Sequence, residues 1–194
     1  MKIKTDLDIL EEDSVYTPDD DSYLLISLME IEAGERVLEI GCGSGIISIH
    51  CALAGGVVTA VDINEKAVKQ TKYNAEKNGV VIHNILVGDM FQPVKGIWDV
   101  IVFNPPYLPK IDGQKTDVRW DGGSKGDETT VRFLEEAWKH MHTDSRLYFC
   151  CSDMAPMKQI DKIVEKYYSV QNRVEKNYDF EILYAYEIVK RKNY

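Results

Sequence analysis

The chain has 194 residues, 44% hydrophobic and 28% charged, the make-up of an ordinary globular protein, and one domain with one sizeable core is expected over 1–194. Its 32 acidic against 23 basic residues leave a net charge of −9, which weighs against grasping a phosphate backbone, because that affinity rests on Lys and Arg releasing counterions.

Residues 1 to 16 are acidic and contain the alternating segment Ile3 to Ile9, readable as a short strand or an ordered arm. The start meets acidic residues by Asp6 and has no apolar signal core, so a cytosolic protein is the expectation. After Pro18, the run Asp19-Asp20-Asp21-Ser22 predicts a helix over about 19–31, since carboxylates at a helix start complement its dipole. Arg36-Val37-Leu38-Glu39-Ile40 is a short strand running into Gly41-Cys42-Gly43-Ser44-Gly45, followed by helical character over 46–54 and a stop at Gly55-Gly56. Val57 to Val61 makes the next strand with Asp62 at its end, and Asn64 caps a helix to about Asn78. Gly45 to Val61 contains His50, two glycines and Thr59, which suits a helix and a strand better than a membrane span.

Further strands are predicted at Val81 to Val87, Trp98 to Phe103, Leu147 to Cys151 and Leu183 to Val189, with helices at Glu128 to His142 and Met154 to Tyr168. Strands separated by helices of ten to fifteen residues argue for parallel pairing through right-handed crossovers, hence a doubly wound α/β sheet covered on both faces. After Tyr168 two β-like runs, Val170 to Val174 and Glu181 to Ile188, follow with no helix between them, which predicts an antiparallel C-terminal hairpin at one edge. Lys110 to Gly126 is the one long irregular segment. Cys42, Cys51, Cys150 and Cys151 include no CxxC pair and read as buried thiols in a reducing compartment. The four histidines have no partners at metal-ligand spacing, so no metal is expected.

A strand ending in glycines before a helix lets a ligand approach the backbone, and an acid about twenty residues on can bind a ribose hydroxyl pair; Asp62 stands there. The dinucleotide fingerprint wants a small residue at position 46, which is Ile46. Glu39, two residues before Gly41, would repel a pyrophosphate but suits a cationic ligand such as the sulfonium of S-adenosylmethionine. Asp89, followed by Met90, would accept from an adenine amino group.

Asn104-Pro105-Pro106-Tyr107 closes the strand Trp98 to Phe103. Neither proline carries an N–H, so the turn offers the Asn104 side-chain oxygen and the Pro105 carbonyl with few competing donors. That suits a planar NH₂ group, and Tyr107 adds a flat ring to stack on its carrier. Two acceptors on both N–H bonds could aim a delocalised lone pair at a methyl group and stabilise the charge developing on nitrogen, without a strong base. Placed on the same sheet edge as the glycine turn, this predicts a methyltransferase acting on an amide or aromatic amine nitrogen.

Glu39-Ile40-Gly41-Cys42-Gly43-Ser44-Gly45, with Asp62, Asp89 and Asn104-Pro105-Pro106-Tyr107, resembles the class I methyltransferases that use S-adenosylmethionine, and within them the HemK-type N5-glutamine methyltransferases of release factors. Val15 to Ser22 and Trp120-Asp121-Gly122-Gly123-Ser124-Lys125-Gly126 narrow the resemblance to the short archaeal and eukaryotic branch. It covers nearly the whole chain and implies a Rossmann-like, mostly parallel seven-stranded sheet, with no separate recognition domain of the bacterial type. It further implies cofactor contacts at Ser22, Glu39, Gly41, Gly43, Gly45, Asp62, Ile63, Asp89, Met90 and Asn104, with residues 1–31 forming part of a lid. Target binding falls to Asn104, Pro105, Pro106 and Tyr107, of which Asn104, Pro105 and Tyr107 serve the chemistry. Thr17 stands where the pattern has an acid, and Asp19 where it has a small residue. In this branch the enzyme often pairs with a small zinc-ribbon activator that covers an exposed apolar edge. The implied target is the Gly-Gly-Gln loop of a class 1 peptide-chain release factor. An exocyclic amine of adenine or guanine in RNA or DNA would suit the same turn, and net charge weighs against it. A non-catalytic cofactor-binding subunit is a third reading, opposed by the intact Asn104 to Tyr107 turn.

Overall fold

The computed structural model describes residues 1–110, 113, 117 and 119–192; part of the irregular segment 110–126 lies outside them. Apolar β-branched runs too short to form stable helices make the central strands β1 (Arg36–Ile40), β2 (Val57–Asp62) and β4 (Trp98–Phe103). Their residues are mostly buried on both faces, as a parallel sheet covered by helices requires. The covering helices are α1 (Asp20–Leu28), α2 (Ile46–Leu53), α3 (Glu65–Lys77), α4 (Glu128–Ala137) and α5 (Met157–Tyr167). With β3 (Asn84–Val87), β5 (Met141–Ser152), β6 (Tyr168–Asn177) and β7 (Ile182–Lys190) the sheet has seven strands in the order β3-β2-β1-β4-β5-β7-β6.

Strands β1 to β5 pair in parallel, whereas β7 is antiparallel to both β5 and β6. The C-terminal hairpin therefore places its second strand inside and its first at the edge. Parallel register sets Ile40 beside both Val61 and Phe103, so β1, β2 and β4 end at one level. Everything that follows them in sequence collects along one rim.

Two expected boundaries move for identifiable reasons. The helix predicted to His142 ends at Ala137, tightens into a single 3-10 turn over Trp138–His140, and yields Met141 to β5, where it pairs with Trp98. Between that pair and Val100↔Arg146 the register shifts, and Ser145 closes the irregularity by donating to the Trp98 carbonyl at 2.6 Å. The strand predicted from Val81 begins only at Asn84, with Val81 exposed.

The N-terminal segment is an ordered arm without strand pairing. Met1, Ile3, Leu7 and Ile9 turn inward onto the cluster around α2, which honours the period-two alternation. Its backbone groups are satisfied by an amide row on α3 rather than by a neighbouring strand. Asn74 Oδ1 accepts from the Leu10 N–H at 2.9 Å, Asn78 Oδ1 accepts from the Asp8 N–H at 2.9 Å, and Gln70 Nε2 donates to the Leu10 carbonyl. Spacing of four residues puts these amides on one helix face. Asn74 also donates to the Ser44 carbonyl at 2.8 Å, tying arm, α3 and glycine turn together.

His50 fastens the start of the arm. Its Nδ1 lies 2.8 Å from the Ile46 carbonyl and its Nε2 accepts the Lys4 N–H at 3.0 Å, so the ring is held as the Nδ1–H tautomer. Burial lowers its pKa below the ordinary 6.5. The folded chain thus binds this proton less readily than the unfolded one, and the stability it contributes is present above the unfolded value and lost as pH falls through the folded one. Acidification from about pH 7 to about pH 5 is expected to lower the hydrogen-exchange protection of the Lys4 amide while leaving β4 amides protected. Unchanged Lys4 protection over that range would refute the arrangement.

Candidate active site

The shared rim of β1, β2, β3 and β4 opens into a cleft of about 630 Å³, within the usual size for a small-molecule site. Gly41, Cys42, Gly43 and Ser44 form one wall after β1, Asp62 and Ile63 a second after β2, and Gly88, Asp89 and Met90 a third after β3. Asn104, Pro105, Pro106 and Tyr107 follow β4 and face them. Ser22 and Glu39 also line the cleft, so every expected site residue does so except Gly45. Gly45 starts α2 instead and packs so closely on Thr71 that a Cβ would meet its side chain at 2.9 Å.

Glu39 is buried at the end of β1 and accepts the Ser48 hydroxyl from α2. Burial pushes its carboxyl up to about 8. Asp62 holds the glycine turn: Oδ2 accepts the Gly43 N–H at 2.9 Å and Oδ1 accepts the Asn64 N–H at 2.8 Å. A carboxylate offers about four lone-pair positions, and since the Ile63 backbone also bonds to Asp62, only part of that capacity stays available for a ligand's hydroxyls. Burial raises its pKa as well. Asp89 is engaged by Arg132 of α4 in a two-point pair, at 3.0 Å and 2.7 Å. That interaction fixes the Asp89 side chain and occupies one position on each oxygen.

The Asn104 to Tyr107 turn is braced from behind by the glycines of 122–126. A Cβ on Gly122 would lie 2.6 Å from the Pro106 carbonyl oxygen, and one on Gly126 would lie 2.5 Å from that of Tyr107. Only glycine lets these backbones meet. Leu108 N–H to the Trp120 carbonyl and Gly122 N–H to the Leu108 carbonyl, at 3.0 Å and 2.9 Å, lock the two segments side by side. Glu128 anchors the far end by accepting from Ser124 Oγ and from the Lys125 and Gly126 amides. The reason for a Gly-rich run long after the Asn104 to Tyr107 turn is therefore steric.

Asn104 Nδ2 donates to Ser22 Oγ at 3.3 Å, while Asn104 Oδ1 is buried without any hydrogen-bond partner. An unpaired buried acceptor is unfavourable by about 1–3 kcal/mol. Sequence reasoning missed the residue beneath it. Asp21, treated as a helix-start acid, is buried and accepts the hydroxyls of Tyr16, at 2.8 Å to each oxygen, and of Tyr107 at 3.2 Å. Burial first and Asp21 next hold both phenols above the usual tyrosine range. Asp19 caps α1 while Asp20 and Asp21, in its first turn, point to different sides, a distinction the sequence does not carry. Tyr16 also meets Trp120 edge-on at 4.9 Å, which roofs the cleft with the arm. Tyr178, Phe180 and Glu181, from the turn between β6 and β7, complete its mouth and carried no sequence signal.

Among the described residues there is no cluster of His, Cys, Asp and Glu fit for a metal ion, and no helix is long and apolar enough to cross a membrane. All four cysteines are buried and unpaired.

Residues 6–184 match the model of the methyltransferase small domain family. A Methanocaldococcus jannaschii protein, provisionally named a protein N5-glutamine methyltransferase, is 45% identical over 127 residues, 63% of this chain and 64% of that protein. Methyltransferase HEMK2 of Mus musculus is 33% identical over 135 residues, 62% of this chain and 63% of its own. The chain thus spans just under two thirds of the length of these curated relatives. The fold is shared with a chain of the E. cuniculi Mtq2-Trm112 complex, described as responsible for methylating the eRF1 termination factor. That likeness has a TM-score of 0.70 and 22% identity over 92% of this chain and 99% of that one. With the glycine turn, the acid after β2 and the Asn-Pro-Pro-Tyr turn gathered on one rim, and the family model matching all three, the chain belongs to the methyltransferase small domain family.

Proposed function

We propose that this chain is an S-adenosylmethionine-dependent N-methyltransferase acting on the side-chain amide of a protein glutamine, that of the Gly-Gly-Gln loop in a class 1 release factor. The observation that carries the reading is the buried, partnerless Oδ1 of Asn104, a residue of the cleft wall. A donor with two hydrogens, on a planar group thin enough to reach it, is the complement such an acceptor lacks. The cleft also suits a cationic nucleoside: Asp62 keeps lone pairs for hydroxyls, and the walls carry Glu39, Asp62, Asp89, Asp121, Glu128 and Glu181 against Arg119 and Arg132. The same acidic walls are poor hosts for a phosphate chain, which disfavours a base in RNA or DNA as the target.

When bound, S-adenosylmethionine supplies an electrophilic methyl carbon on a good leaving group. The protein's task is then to prepare a poor nucleophile. Asn104 Oδ1 and the Pro105 carbonyl accept the two N–H bonds of the target amide and hold its nitrogen still. As positive charge grows on that nitrogen both bonds strengthen, which stabilises the transition state more than the ground state. Tyr107, fixed by Asp21, stands beside the amide plane. The N-terminal arm, with Tyr16 against Trp120, excludes water from the space so formed.

The names of the similar proteins support glutamine as the residue and, through the E. cuniculi complex, a termination factor and a small second subunit. A zinc-ribbon activator would find its apolar edge at β3, the end strand of the sheet, where Val87 and, just before the strand, Val81 are exposed.

Incubated with labelled cofactor and its cognate release factor, with and without a coexpressed partner, the protein is expected to label one glutamine, located by mass spectrometry. Label in RNA with the release factor blank would overturn the reading. Asn104→Ala is expected to lower kcat by about 100-fold or more while cofactor affinity changes far less. Asp62→Ala is expected to weaken cofactor binding instead, and unchanged affinity by calorimetry would remove the ribose assignment.

Glu39 yields a pH prediction. Its folded value of about 8 lies above the ordinary 4.5, so between the two the folded chain holds a proton that the unfolded chain has lost. Stability is full below the lower value and declines as pH rises through the upper one. Urea unfolding of the cofactor-free protein at about pH 6 and about pH 9 should reveal that decline, and Glu39→Gln, which cannot titrate, should flatten it. Parallel wild-type and variant curves would count against a protonated Glu39.

A further inference from the structure

An asparagine amide has two ends of nearly equal size, and which end faces a ligand is decided by what holds the other. Here the polarity can be traced. Ser22 lies at the start of α1 beside Asp21, and both its backbone N–H and its hydroxyl, the latter at 3.2 Å, donate to Asp21 Oδ1. A hydroxyl has a single hydrogen. Once that hydrogen is given to the carboxylate, Ser22 Oγ presents only lone pairs to Asn104, and it can meet the NH₂ end but not the oxygen. Asn104 Nδ2 does sit on Ser22 Oγ, at 3.3 Å, and Oδ1 is the end left over. The order of donation runs from Asn104 to Ser22 to Asp21, and it has one direction because a carboxylate only accepts. Tyr107 and Tyr16 donate to the same carboxylate, so it also registers the clamp's ring and the arm against one point.

We propose that Asp21 is a positioning residue: through the Ser22 hydroxyl it fixes the Asn104 amide so that the cleft presents an acceptor, not a donor, to the incoming nitrogen. The inference rests on the reading of the target as an NH₂ group. With the amide reversed, Nδ2 would face that group donor to donor, and the bonds that strengthen as nitrogen becomes positive would be lost. Asp21 itself need not touch the target. Burial serves the arrangement, because in low dielectric a hydrogen bond to a carboxylate is stronger and a misdirected dipole is more unfavourable.

The test joins a structural readout to a kinetic one, on the full chain. In ¹⁵N-labelled protein the Asn104 Nδ2 protons should show a nuclear Overhauser contact to the Ser22 side chain. Asp21→Asn offers Ser22 both donor and acceptor, and should remove that contact and speed exchange of those protons with water. With a glutamine-bearing release-factor substrate, Asp21→Asn should lower kcat by about 10- to 100-fold while the cofactor dissociation constant moves by less than about threefold. In an Asn104→Ala background the same change should cost clearly less than in the wild-type background, the remainder being the share that acts through Tyr107 and Tyr16. A contact that persists in Asp21→Asn, or rate losses that simply multiply, would overturn the proposal. Should Asp21→Asn not fold, Ser22→Ala must lose the contact and the rate while Ser22→Thr, which keeps the hydroxyl, retains both; equal behaviour of the two overturns it. If the wild-type protein methylates no glutamine the functional reading fails, and the Overhauser contact still decides the role of Asp21.

Discussion

Burying a carboxylate is tolerated only when donors surround it, and Asp21 organises this molecule by that requirement. A buried charge left without one of its partners is destabilising by about 3–5 kcal/mol. Its donors come from the arm (Tyr16), from α1 (Ser22) and, 86 residues along the chain, from the turn after β4 (Tyr107). Satisfying one acid therefore docks the arm, orients the first helix and places the clamp.

Around that point the sheet supplies alignment. Because β1, β2 and β4 share a register, their three following turns meet without any long excursion, and the site needs only short, stiff segments. The glycine turn is fixed by Asp62, the clamp by the glycines at 122 and 126, and the arm by the amide row of α3. Each support is a hydrogen bond or a steric fit rather than an ion pair in solvent, so the arrangement should respond little to salt. Exposed pairs such as Lys66 with Glu12 contribute little beyond solubility.

The cleft is acidic, and this has two consequences of opposite sign. Burial first, and the nearby Asp62 carboxylate to a lesser degree, keep the proton on Glu39 near neutrality. A cation entering the cleft favours the ionised form. Among the described residues the cations lining the cleft are two arginines, Arg132 engaged by Asp89 and Arg119 by Asp117, which leaves an anionic ligand little to pair with.

Much of this was legible in one dimension because it depends on local pattern. Apolar runs ending in Gly41, Asp62 and Asn104 identify strands whose last residues must share a rim, since parallel crossovers leave no other arrangement. The acceptor character of Asn104-Pro105-Pro106 follows from proline's missing N–H and needs no coordinates. What the chain alone left open was every matter of direction and partner. Asp19, Asp20 and Asp21 look alike in sequence, yet one caps α1, one pairs with Lys176 and one is buried at the site, because successive helix residues diverge by about 100°. Gly45 looks like a member of the ligand loop and instead seats α2 against Thr71. Ile3 to Ile9 alternates like a strand but is held by side-chain amides of the α3 side instead of pairing with a strand. The sequence by itself determined the fold class, the rim and the kind of group it offers, which rest on periodicity and residue chemistry. Tertiary structure alone decided which end of the Asn104 amide is held and which is left without a partner, because that depends on a hydrogen bond to Ser22 across 82 residues.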